Sequence, residues 1–374
     1  MKSKSIGMTL VFLIFCARIF AQENQLWNGI SSYFDVPAAF KGDFGRLTSV
    51  LKFKDGSLVA NANDWQKRRL EIRKDWVSYL GEWPSIWKDQ KFEVLATEDK
   101  GTYTKSTVRF YWTPNEQTIG YLLSPHKKGK LPAVVTVFYE PETSIGEGKP
   151  RRDFALQLVQ RGFVTLSIGT KEASARQEFS LYYPSIDKVS VQPLSMLAYA
   201  ANNAFFALAN QANVDRDRIG IVGHSFGGKW AMFASCLTDN FAAAAWSDPG
   251  IAFQEDRESV NYWEPWYLGF HPKPWRSRGL ITPDNPAFGP YLDMRSKGRD
   301  LHELQVLMAP RPFLVSGGSE DPVARWRVLN HSIQVNELLG QHNRVAMSNR
   351  PTHEPTDESN ELIYNFFSFF LQQK

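Results

Sequence analysis

The chain has 374 residues, 43% hydrophobic and 22% charged, with 12 Trp, 13 Tyr and 26 Phe. That balance belongs to a globular protein of one large or two ordinary domains and excludes disorder. The formal net charge of +4 includes Lys2, Lys4 and Arg18 of the leader described next, so the remainder carries 4 − 3 = +1. With no long Lys/Arg run, no nucleic-acid partner is expected.

The chain opens with "MKSK", an apolar "MTLVFLIFCA" and then "RIFAQ". This reads as an export signal, residues 1–21, cleaved after Ala21. The apolar run is too short to span a bilayer, so a periplasmic or extracellular protein without stable membrane insertion is expected. Phe15 before Cys16 is bulky where lipoprotein processing wants a small residue. Only Cys236 then remains, which allows no internal disulfide and leaves stability to the core.

Residues 22–60 read as irregular, ending in a strand and turn at "LKFKDGS". "NDWQKRRLEIRKDWVSYLGEWP" predicts an amphipathic helix with Trp65, Ile72, Trp76, Tyr79 and Leu80 on one face. Asn63 is its expected cap, and Gly81 with Pro84 its stop. "YTKSTVRFYW" and "TIGYLLSP" read as paired strands.

From Leu131 strands and helices alternate. Strands are predicted at "AVVTVFY", "FVTLSIG", "RIGIVG", "FAAAAWS", "RPFLVSGG" and "RVAMSN", with helices at "RRDFALQLVQRG", "SMLAYAANNAFFALANQA" and "KWAMFASCL" between the first four. The pattern argues for an α/β fold with a mostly parallel sheet covered on both faces. The expected organisation is an N-terminal extension over 22–99 packed on a catalytic domain over 100–374, which carries an insert at about 250–299.

Gly223-His224-Ser225-Phe226-Gly227 lies between a predicted strand and helix, the context of a nucleophile elbow. A serine hydroxyl needs a general base, and the base an orienting acid, in the chain order Ser, acid, His. Of seven histidines, His353 fits that order, in a loop after the last strand and before the C-terminal helix. Asp321, after "RPFLVSGGSE", is the first choice of acid, with Asp248 at the end of the preceding strand and Glu320 as alternatives. The backbone N–H of Phe226 is the expected first oxyanion donor. The second is expected from the loop after "AVVTVFY", at Glu140 or Tyr139, because Pro141 has no N–H.

The segments "GHSFGGKWAMFAS", "LHELQVLMAPRPFLVSGGSEDPVA" and "NDWQKRRLEIRKDW…GEWP" resemble exported bacterial α/β-hydrolases of the dienelactone-hydrolase-like and acetyl xylan esterase-like groups. They are also similar to the glucuronoyl esterases of carbohydrate esterase family 15. The resemblance spans most of 60–371. It implies the α/β-hydrolase fold, Ser225 as nucleophile, His353 as base, and an acid at Asp321 or, as in some glucuronoyl esterases, near Asp248. Glucuronoyl esterases usually carry Arg directly after the nucleophile, where this chain has Phe226, and Phe supplies no charged donor to an oxyanion. The retained Lys229 reads as a helix-surface or structural charge.

The insert concentrates aromatics in "NYWEPWYLGFHPKPW". Two readings stand together: a lid presenting Trp263, Trp266, Tyr267 and Trp275 to a sugar, or a lid that these rings pack onto the sheet. Arg276, Arg278 and Arg295 are candidates to meet a uronate. The favoured expectation is a secreted serine esterase acting on a carbohydrate ester. A prolyl-oligopeptidase-like peptidase is one rival, although 22–99 is too short for a propeller. A non-catalytic carbohydrate-binding protein on the same scaffold is the other. No H-E-x-x-H, cysteine cluster or phosphate loop is present, so neither metal nor cofactor is expected.

Overall fold

The computed structural model describes residues 24–373, so the expected export signal over 1–21 lies outside the described residues. Three antiparallel strands come first: β1 (Glu93–Asp99), β2 (Tyr103–Tyr111) and β3 (Gln117–Pro125). β4 (Leu131–Phe138) and β5 (Val164–Gly169) follow, then a separate hairpin of β6 (Tyr183–Ser185) and β7 (Lys188–Val191). β8 (Val214–His224), β9 (Ala243–Ser247), β10 (Phe313–Gly317) and β11 (Val345–Asn349) complete the main sheet. Its nine strands run in the order β1-β2-β3-β5-β4-β8-β9-β10-β11, parallel from β5 to β11. The predicted mostly parallel α/β-hydrolase sheet is therefore present.

The apolar runs behave as strands buried on both faces do, sending alternate residues to opposite sides. Val135 and Val137 of β4, Ile221 of β8 and Trp246 of β9 join one core. Val134, Val222 and Ala245 from the same strands join the other. Helices α1 (Ala62–Leu80), α3 (Pro193–Ala209) and α4 (Phe226–Leu237) contribute to the first core. On the second lie α2 (Phe154–Gln160) and α6 (Asp357–Phe367). Helix α5 (Trp326–Leu338) connects β10 to β11.

Helix α1 buries Trp65, Ile72, Trp76 and Leu80 in the same core as the sheet. Its cap is Asn61, whose side chain accepts from the Asp64 N–H at 3.0 Å, rather than Asn63. The "LKFKDGS" segment forms only an isolated bridge between Lys52 and Leu58. β1 falls inside the stretch read as an extension, so the sheet itself begins before residue 100. Cys236 is free and buried, and burial pushes its thiol up to about 12, which makes it unreactive. No helix among the described residues is long and apolar enough to cross a membrane.

Candidate active site

β8 ends at His224 and α4 starts at Phe226, so Ser225 alone forms the turn. Its φ of 56° and ψ of −114° are a strained conformation for a residue with a side chain. Both glycines of the motif are there because backbones approach closely. A Cβ on Gly223 would lie 2.2 Å from the Gly227 carbonyl oxygen, and one on Gly227 would lie 2.0 Å from that of Val137. The Ser225 N–H donates to the Ser247 carbonyl at 2.8 Å, which ties the turn to the end of β9.

His353 arrives from the loop between β11 and α6. A capping box of Thr356 and Ser359 fixes where that loop ends. Buried Arg350 fixes its course: its guanidinium donates to the carbonyls of Ser316, His353 and Glu354, each at 2.8 Å. Arg350 was not singled out from sequence. A cation directly after the last strand was the available signal, and nothing in the residue pattern separates it from a surface arginine.

The loop brings His353 Nε2 to 2.8 Å from Ser225 Oγ and Nδ1 to 2.7 Å from Asp248 Oδ2. A carboxylate only accepts, so Nδ1 carries the proton and Nε2 turns its lone pair to the serine hydroxyl. Asp248 is fully buried, with φ 50°. Its carboxylate also accepts from the N–H groups of Gly318 at 2.6 Å, Asp321 at 2.8 Å and Glu320 at 3.3 Å.

The histidine's partner is thus Asp248, and the first-ranked Asp321 does not take that place. The turn after β10 directs the Asp321 main-chain N–H at Asp248. Its side chain instead accepts from Gly250 N–H at 2.8 Å and Ile251 N–H at 2.6 Å. Burial, then repulsion from Asp248, raises the Asp321 carboxyl to about 6. Glu320 lies near the pair, and its ligand atom falls within 4.8 Å of those of Asp248 and His353. Its oxygens are already occupied by Arg257, Ser259 and Ser319. His224 packs its ring 4.7 Å from that of His353, and burial keeps its imidazole well below the ordinary value, hence neutral.

Phe226 opens α4, so its N–H has no acceptor within the helix. The Glu140 carbonyl accepts from Thr143 N–H at 3.1 Å, which sets the turn after β4 that carries the Glu140 N–H. The Phe226 ring is buried and stacks on Tyr139, with centroids 4.1 Å apart and planes 12° from parallel. Phenylalanine at this position therefore joins the elbow to the turn after β4.

The aromatics of the insert are mostly packing. Trp263 is wholly buried and donates its indole N–H to Gly279 O at 2.9 Å, so it offers no face to a ligand. Trp266 and Tyr267 are also buried, the former against Phe179. Trp275 is half-buried, stacked on Tyr182 with Lys273 over its ring. Arg276 is buried too, paired with Glu264 at 2.7 Å, and donates to the carbonyls of Gly279, Leu280, Asn285 and Pro286. That network holds an irregular segment together and removes Arg276 as a uronate ligand. Arg295 pairs with Glu255 at 2.9 Å, whereas Arg278 is exposed. Lys229 lies inside the fold, not on a helix surface. It donates to the Pro249 and Ser259 carbonyls at 2.7 and 3.2 Å, with burial lowering its ammonium to about 8.

Fold and site together define an α/β-hydrolase with a serine, histidine and aspartate in hydrogen-bonded series at the carboxyl edge of its sheet. No protein-family model matches the chain, and no curated protein sequence does. Solved structures do. A glucuronoyl esterase from Solibacter usitatus is similar at a TM-score of 0.67 and 18% identity, over 90% of this chain and 98% of that one. A carbohydrate esterase family 15 glucuronoyl esterase from Teredinibacter turnerae matches at 0.62 and 18%, over 95% and 99%. A putative acetyl xylan esterase from Bacteroides fragilis matches at 0.57 and 16%, over 83% and 81%. These likenesses carry the fold.

Proposed function

We propose that the protein is an exported serine esterase that removes ester groups from a carbohydrate. The series Ser225–His353–Asp248, closed at 2.8 and 2.7 Å, carries this reading. His353 takes the hydroxyl proton as Ser225 Oγ attacks the ester carbonyl. The N–H groups of Phe226 and Glu140 face the oxyanion that forms. The protonated His353 then gives its proton to the departing alkoxide, leaving an acyl-enzyme. Water, deprotonated by the same imidazole, attacks the acyl carbon, and the acid is released as Ser225 recovers its proton. Asp248 holds the imidazole in the required tautomer throughout. The similar structures named as glucuronoyl and acetyl xylan esterases support a carbohydrate ester as substrate. The exposed Arg278 is the insert arginine left to meet a uronate carboxylate.

The test is hydrolysis of p-nitrophenyl acetate by the mature protein beside Ser225→Ala, each treated with a serine-reactive phosphonate. Activity and labelling are expected to vanish together in the variant. Equal activity in both proteins, with no labelling, would sink the proposal in favour of a binding protein.

A further inference from the structure

The carboxyl edge of the sheet continues past the strands that carry the three site residues. In the order β8-β4-β5-β3-β2, β3 runs antiparallel to β5 and β2 antiparallel to β3. The ends of β4 and β5, the start of β3 and the end of β2 therefore share the edge on which Ser225 sits. A cavity of about 890 Å³ opens there. Its near wall is Pro141 and Glu142, directly after Glu140, and its far wall is Arg109, Trp112 and Ile119 of the β2–β3 hairpin. A second hollow of about 570 Å³ shares Arg109 and Gln117 with it, so the two make one groove. At the outer end Trp87 and Tyr111 stack with centroids 4.9 Å apart and planes 14° from parallel. They are 42% and 38% exposed, in contrast to the buried Trp263, Trp266 and Tyr267 of the insert. From β8 to β2 is four strand spacings, about 19 Å.

The chemistry of the groove selects its occupant. The lining is balanced, with five cations and five carboxylates. Arg109 pairs with Glu93 at 3.3 Å, Lys171 with Glu142 at 2.9 Å and Arg176 with Glu178 at 2.9 Å, while Lys88 and Lys91 line the outer hollow together with Asp89. A polyanion would find no net positive charge along it. Two polar atoms in the cavity wall have no partner: the indole N–H of Trp112, a residue 7% exposed, and Oε2 of Glu142. One donates and the other accepts, and a hydroxyl group satisfies either. Flat exposed rings at one end add a surface for the apolar face of a pyranose. We infer that this groove binds the uncharged main chain of a polysaccharide, leading away from the ester held at Ser225. The inference deepens the proposed esterase function and rests on it for the direction of the chain.

Titration calorimetry with Ser225→Ala, full chain, would use xylohexaose, cellohexaose and, as the anionic counterpart, hexagalacturonate. At least one neutral hexamer should bind, and adding Trp87→Ala or Tyr111→Ala should weaken it about tenfold, the scale of one lost aromatic contact. Trp87→Phe should recover most of the loss. In the Ser225 protein, Trp87→Ala should leave kcat/KM for p-nitrophenyl acetate unchanged, which also shows that the variant folds. Neutral hexamers that fail to bind, bind independently of Trp87 and Tyr111, or bind more weakly than hexagalacturonate would each overturn the inference. Any of these results beside intact Ser225-dependent ester hydrolysis would leave the esterase reading standing. Hexamer binding that depends on Trp87, without any ester hydrolysis, would uphold the groove and refute the esterase.

Discussion

Replacing Asp248 and Asp321 by asparagine, one at a time, tests which carboxylate orients His353. In Asp248→Asn the side-chain oxygen can still accept from Gly318 and Asp321 N–H, now at 2.6 and 2.8 Å from Oδ1, so the turn should keep its shape. The amide NH2 then replaces Oδ2, which lies 2.7 Å from His353 Nδ1. Two donors cannot face each other. The imidazole moves its proton to Nε2, pointing it at Ser225, and the serine loses its base. Such a tautomer error costs about 10⁴ in kcat, or about 5.5 kcal/mol of transition-state stabilisation. Asp321→Asn removes one of two acceptors from Gly250 and Ile251 N–H and leaves its own main-chain N–H on Asp248. Its expected cost is about 1–3 kcal/mol of stability for the buried amide left unpaired, with kcat reduced less than about tenfold. The assay is steady-state hydrolysis of p-nitrophenyl acetate at neutral pH, with thermal unfolding as the control for folding. A loss of about 10⁴ in Asp321→Asn, with Asp248→Asn close to the parent, would refute the reasoning.

Three further outcomes follow from the geometry. Gly227→Ala puts a Cβ 2.0 Å from the Val137 carbonyl, whereas Gly228→Ala meets Ser247 O at 3.0 Å. The first should lose more than about 3 kcal/mol or fail to fold and the second clearly less, as read by urea unfolding; equal losses would contradict the packing of the elbow. Arg350→Lys keeps the charge but not the fork that holds the carbonyls of Ser316, His353 and Glu354. It should lower kcat about 10²-fold with little change in KM, a split that separates positioning of His353 from substrate binding. The Asp321 carboxyl is raised to about 6 from an ordinary 3.8. A raised carboxyl contributes stability that is present below pH 3.8 and lost as pH climbs through about 6. Asp321→Asn should therefore gain on the parent between pH 4 and 7 in urea unfolding, and a difference independent of pH would count against the buried charge.

Much of this protein is written in local sequence. Apolar runs such as "AVVTVFY" and "RPFLVSGG" contain enough β-branched and aromatic residues, over too short a length for a helix, to announce buried strands, and β4 and β10 are those strands. The elbow is equally local, because strand, glycine, serine, glycine and helix follow one another without interruption. Placing His353 needed only chain order and the loop that precedes a capped helix. The insert was harder: an aromatic side chain looks the same in sequence whether it faces a sugar or a core. Burial of Trp263 and the Glu264–Arg276 pair is a property of how 250–288 folds over the sheet. Likewise, nothing adjacent in sequence joins Trp87 to Tyr111. The choice between Asp248 and Asp321 shows the limit most sharply. Both follow parallel strands that end at one edge, so each satisfies the order Ser, acid, His. Which carboxylate reaches His353 depends on the turn after β10. That turn points three backbone N–H groups at Asp248 and turns the Asp321 side chain toward Gly250 and Ile251. Sequence determined the strands, the elbow and the candidates, because each rests on neighbours in the chain. Tertiary structure alone decided which acid meets the histidine, because that contact joins residues 105 positions apart.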